Sequence, residues 1–104
     1  MNKKFKISPE LKPYIRQLMA RSEYHFRIKT EGDQLYLITN ISGTKFHNIV
    51  QRAKCMKLSE ETGIMHVTKR ESENSALVMS LQNEYHANSF VISGTPINKD
   101  TATD

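Results

Sequence analysis

The sequence predicts an α+β fold: two helices packed on one face of a mainly antiparallel sheet of four or five strands, in the order α-β-β-α-β-β with a further short strand at the end. Three observations predict it. Phe46, Ile49, Val50, Ala53 and Met56 recur at helical spacing and form one apolar stripe that needs a cover. Segments of β-type residues flank that stripe in pairs, 24–39 before it and 64–82 after it. Leu11, Tyr14, Ile15, Leu18 and Met19 give a second helical stripe nearer the start. Either half alone would leave apolar faces wet, so both helices are expected on one shared sheet.

The elements follow in order. In residues 1–7, Phe5 and Ile7 alternate loosely with Lys4 and Lys6, which reads as an extended basic arm, with a short edge strand as the alternative. Ser8, Pro9 and Glu10 supply an N-cap, a proline for the first helical position and an acid for the positive end of the dipole. Pro13 would remove a bond to Pro9, so the helix can instead start at Pro13 after a preliminary turn, and it should end near Arg21 or Ser22. Tyr24, Phe26, Ile28 and Thr30 then alternate with His25, Arg27 and Lys29, the period of a strand with one wet face. A two-residue turn at Glu31-Gly32 would set Ile28 opposite Leu35, Phe26 opposite Leu37 and Arg27 opposite Tyr36, leaving Ile38 exposed.

Thr44 is the expected N-cap of the central helix, whose stripe ends near Met56, with Gly63 as a stop. Residues 64–69 and 76–82 read as a second hairpin around the polar loop 70–75, with Leu77, Met79 and Leu81 choosing one face. Phe90, Val91 and Ile92 predict a last short strand. The resulting expectation is a single domain over 1–97 and a disordered tail over 98–104, where Ala102 alone is apolar.

Composition narrows the class of protein. No apolar run approaches a bilayer span, and the basic start is not followed by the hydrophobic stretch of a signal peptide, so a soluble cytoplasmic chain is expected. A single cysteine, Cys55, gives no intramolecular disulfide framework. The net charge of +4 is unevenly spread: residues 1–57 hold twelve Lys/Arg against four acids, and 58–104 hold three against seven. That asymmetry points to a polyanionic partner for the first half or to head-to-tail pairing of two copies as a homodimer.

Motifs for chemistry are sparse. His25, His47, His66, His86 and Cys55 lack the spacings of a metal site, with no C-x-x-C and no H-E-x-x-H. Cys55 falls on the side of the helix away from Phe46 and is expected as an exposed, incidental thiol. Glu60-Glu61 and the Glu71/Glu73 pair sit in polar stretches as solvated carboxylates, with Lys69 and Arg70 near the latter. With no phosphate-cradling glycine loop and no nucleophile elbow, neither an enzyme nor a cofactor is expected.

One constellation remains. His25, Arg27 and Lys29 on one strand face, with Tyr36 across from them and Lys3, Lys4 and Lys6 on the arm, combine cations for phosphates with an aromatic for a base. The functional expectation is therefore binding of single-stranded RNA or DNA with low sequence specificity. The alternative is a protein-interaction or regulatory module, favoured by polar connectors and five adaptable methionines. The plain structural explanation is a solvated sheet face on which Tyr36 packs beneath aliphatic stems.

Overall fold

A computed structural model describes residues 2–93, and the tail expected at 98–104 lies outside them. The chain is α+β. Its elements run β1 (Lys3–Ile7), a 3-10 turn (Pro9–Leu11), α1 (Lys12–Ala20), β2 (Phe26–Glu31), β3 (Gln34–Thr39), α2 (Gly43–Thr62), β4 (His66–Thr68), α3 (Lys69–Ser72), α4 (Ser75–Tyr85) and β5 (Val91–Ser93). Two compact units divide it within α2, Met1–Lys54 and Cys55–Asp104. The shared sheet is corrected to two separate ones: an antiparallel sheet of order β1-β3-β2 and a parallel pair β4-β5.

In the first unit the residues expected as an arm are a strand. Lys3 to Ile7 pair with β3 because Phe5 and Ile7 fall on the face that carries Leu37 and Leu35. That face is covered by Leu11, Ile15 and Met19 and by the first part of the α2 stripe, Phe46, Ile49, Val50 and Ala53. Phe5 and Phe46 stack with ring centroids 4.3 Å apart. The preliminary turn before α1 is present, with Pro13 in the first turn of the helix, where a missing N–H breaks no helical bond.

The β2–β3 turn is Gly32-Asp33 rather than Glu31-Gly32, since Glu31 pairs with Gln34. Gly32 has φ of +61° while Asp33 keeps a negative φ, the requirement of a turn with glycine in its first central position. The register therefore moves by two residues, which preserves the inner face (Phe26, Ile28, Leu35, Leu37) but sets Lys29, not Arg27, opposite Tyr36.

The cap of α2 is Ser42, whose hydroxyl accepts from the Lys45 N–H at 3.1 Å, so Thr44 already lies inside the helix. The helix runs past Met56 to Thr62 and stops at Gly63, φ +72°. Cys55 is buried, at 2% exposure, which corrects its expected place at the surface. The second unit uses a different stripe of α2 from the first: Cys55 and Ser59 are both buried, and the Ser59 hydroxyl donates to the Cys55 carbonyl and accepts from the His66 N–H.

The second hairpin does not exist. Residues 76–82 lie in α4, whose N-cap Asn74 accepts from the Leu77 N–H at 3.1 Å. Ala, Leu, Met and Gln are strong helix formers, and the alternation of Leu77, Met79 and Leu81 marks no core face: Val78 is the buried residue and Met79 is 63% exposed. Ahead of it, Thr68 and Glu71 close a capping box over α3, so Glu71 is a cap rather than a solvated acid. The last short strand is present but pairs in parallel with β4.

Candidate nucleic-acid interface

The outer face of the three-stranded sheet collects most of the residues that the sequence marks. Directly opposed residues in an antiparallel pair share a face. Two rows therefore cross the sheet, Lys6–Tyr36–Lys29 and Lys4–Ile38–Arg27. The four cations are exposed, and Tyr36 and Ile38 between them are half-buried. The central strand thus supplies the aromatic and aliphatic floor and the two outer strands supply the charge.

His25 precedes β2 on the Arg27 side of the alternation and lines a shallow 160 Å³ hollow with Asn2, Phe26, Arg27 and Ile38. Its carbonyl accepts from the Thr39 hydroxyl at 2.8 Å, which ties this end of β2 to β3. Lys3 does not join the group, because its partner is Thr39 and its alternation places it with the inner face. Tyr36 meets Lys6 and Lys29 in its row, while Arg27 stands beside Ile38.

Sequence reasoning missed Glu31. Its carboxylate accepts from Lys4 Nζ at 2.7 Å and from Lys29 Nζ at 3.2 Å, and the two ammonium groups hold it ionised below the usual carboxylate range, Lys4 contributing most. Lys4 reaches it by crossing the central strand, which places Nζ 4.6 Å from the Tyr36 ring centroid. The signal was present in the sequence: with Gly32 first in the turn, Glu31 continues the Arg27, Lys29 alternation on the same face. A second cation over an aromatic was also missed, Lys45 Nζ at 5.5 Å from the Tyr24 ring.

The second unit has a concavity of its own, 360 Å³, lined by Glu60, Ile64, Met65, Tyr85, His86 and Ser89 among others. His86 has φ of +54° because it closes α4, where the Ala87 N–H reaches back to the Gln82 carbonyl at 2.9 Å. Among the described residues no three His, Cys, Asp or Glu side chains gather to hold a metal ion, and no helix is long and apolar enough to cross a membrane.

No protein-family model matches this chain, and neither the curated proteins nor the solved structures contain a match to it.

Proposed function

We propose that the chain binds single-stranded nucleic acid with low sequence specificity through the outer face of the β1-β3-β2 sheet. The observation that carries this reading is the register, which sets Lys4, Lys6, Arg27 and Lys29 around Tyr36 on one exposed face. Phosphates need cations spaced along a surface, and a base needs a flat aromatic within that surface. The surrounding unit favours such a ligand at longer range, with eleven Lys/Arg against four acids in residues 1–54 and four against seven in 55–104. His25 extends the basic strip beyond the end of β2. Lys3 adds charge near it without facing the strand that the ligand would follow.

Two features work the other way. Lysines and arginines on outer strands also deter edge-to-edge pairing, a sufficient reason for Lys4, Lys6, Arg27 and Lys29 in the absence of any ligand. The exposed apolar side chains of the second unit, Ile64, Met79, Val91 and Ile92, favour a protein-interaction module as the second reading.

Filter binding of the full chain to single- and double-stranded RNA and DNA separates the two. Engagement of about four phosphates gives a log-log salt slope near −3 on single strands, so affinity falls by something like 10² between about 50 and 200 mM salt. Arg27→Gln and Lys29→Gln should each reduce that slope by about one. Tyr36→Ala should weaken binding and leave the slope nearly unchanged, because stacking releases no counterions. If no nucleic acid is retained at micromolar protein and low salt, the reading fails and the protein-interaction module stands in its place.

A further inference from the structure

We infer that Glu31 is a built-in occupant of the phosphate seat on this face, holding Lys4 across Tyr36 until a phosphodiester takes its place. The inference rests on the nucleic-acid reading above and concerns how that same face is regulated. A carboxylate and a phosphodiester present the same chemistry to an ammonium group, an oxyanion that accepts charge-assisted hydrogen bonds. Glu31 receives two of them, from Lys4 on β1 at 2.7 Å and from Lys29 on β2 at 3.2 Å. Two cations from opposite outer strands therefore already converge on one anionic group.

The geometry has a consequence for Tyr36. Lys4 stands in the row of Ile38 and Arg27, whereas Glu31 stands at the turn end of β2 in the row of Gln34. The Lys4 side chain spans the Tyr36 row to reach the carboxylate, and its ammonium lies 4.6 Å from the ring centroid, where a stacking base would sit. An incoming phosphodiester that draws Lys4 and Lys29 away from Glu31 uncovers the ring in the same movement. Phosphate binding and base stacking are thereby coupled through one side chain.

The exposed position sets the size of the effect. Both contacts lie in solvent, so displacement of Glu31 costs little and acts as a threshold rather than a block. Removing the carboxylate should raise affinity about three- to tenfold. Loss of one negative charge raises affinity for a polyanion anywhere on this unit, so a charge-matched control is required. Asp33 provides it, two residues on in the turn, because Lys4 and Lys29 pair with Glu31 and not with Asp33.

The experiment compares wild type, Glu31→Gln and Asp33→Asn as full chains, binding a fluorescent oligo-dT and giving NMR signals of the Tyr36 ring without ligand. The expected result is a gain for Glu31→Gln clearly above that for Asp33→Asn, with Tyr36 ring shifts that move in Glu31→Gln alone. Equal gains in the two variants would overturn the inference and leave the nucleic-acid reading intact. Unmoved Tyr36 ring signals in Glu31→Gln would overturn it whatever the oligonucleotide does, since Lys4 would then not be held by Glu31. Absence of binding in all three proteins would remove the nucleic-acid reading, and this inference with it.

Discussion

The two units of the chain are held together by different means. In Met1–Lys54 the buried side chains are mostly large and apolar, Ile7, Leu11, Ile15, Met19, Leu37 and Ile41, gathered from the sheet, the 3-10 turn, α1 and the connection before α2 into one cluster. Among the described residues of Cys55–Asp104 the buried set is shorter and smaller, Cys55, Ser59, Met65, Val67 and Val78, while Ile64, Leu77, Met79, Val91 and Ile92 are exposed. The second unit depends more on local hydrogen bonding beside that smaller core: the Thr68/Glu71 capping box, the Asn74 cap and the Ser59 hydroxyl between the Cys55 carbonyl and the His66 N–H. Burial of long-range apolar contacts is the stronger source of stability, so the first unit should be the better protected of the two. A rigid inner face is also what a flat, charged outer face needs in order to keep its spacing.

The largest effect should come from the centre of the first cluster. Leu37 lies on the middle strand at 0% exposure, so Leu37→Ala leaves a cavity that neighbours on both sides cannot readily close. A loss of about 2–5 kcal/mol is expected on chemical denaturation. Hydrogen exchange locates the loss. Amides of β1, β2 and β3 should exchange faster, and uniform loss through α4 and β4 as well would mean that the two units do not differ in the way proposed.

A smaller effect tests the second unit. Thr68→Ala removes one half of the capping box and should cost about 1 kcal/mol. Exchange should accelerate around α3 and the start of α4, and Thr68→Ser should restore most of it. Protection that stays unchanged in Thr68→Ala would show that packing, not capping, holds this unit.

Much of this contrast could be read from residues, and the failures have physical causes. The inner face of the first sheet was legible because Phe26, Ile28, Leu35 and Leu37 alternate and a register error of two residues leaves the face unaltered. That same error sets Tyr36 opposite Arg27 in place of Lys29 and hides Glu31 in the turn. The strand at 3–7 was ambiguous because its only local signal is two apolar residues, and pairing with β3 is a long-range fact. In the second unit a period-2 pattern of Leu77, Met79 and Leu81 competed with helix propensity and two local caps, and the caps decided it. Thr68-x-x-Glu71 was visible as a capping signature and is the signal that should have outweighed the alternation. Cys55 is misplaced by a single stripe drawn through the whole of α2, whereas each unit buries its own.

The outer face should behave oppositely to the inner one. Arg27→Gln is an exposed change without a buried partner and should alter stability by less than about 0.5 kcal/mol. It should nonetheless lower affinity for single strands and reduce the salt slope by about one. Equal loss of stability in Arg27→Gln and Leu37→Ala would erase the distinction between a binding face and a structural face.

The smallest effect lies at Glu31 and has a definite sign. Lys4, and after it Lys29, favour the ionised carboxylate, so the folded pKa lies below the ordinary value of 4.5. The unfolded chain therefore binds more protons than the folded one between those two values, and the contribution of Glu31 is full above 4.5 and lost as pH falls through the lowered folded pKa. Acidification from about 7 to 6 should leave the contact untouched, more than about a unit above the ordinary carboxylate value. Carbon-detected NMR of the Glu31 carboxyl should give a midpoint below 4.5, and the Tyr36 ring signals should follow the same curve as Lys4 is released. Lys4→Gln should raise that midpoint more than Lys29→Gln, since the Lys4 contact is the shorter, 2.7 Å against 3.2 Å. A midpoint that ignores both substitutions would mean that neither lysine is engaged by Glu31 in solution, and the outer face would then carry its four cations free of any internal anion.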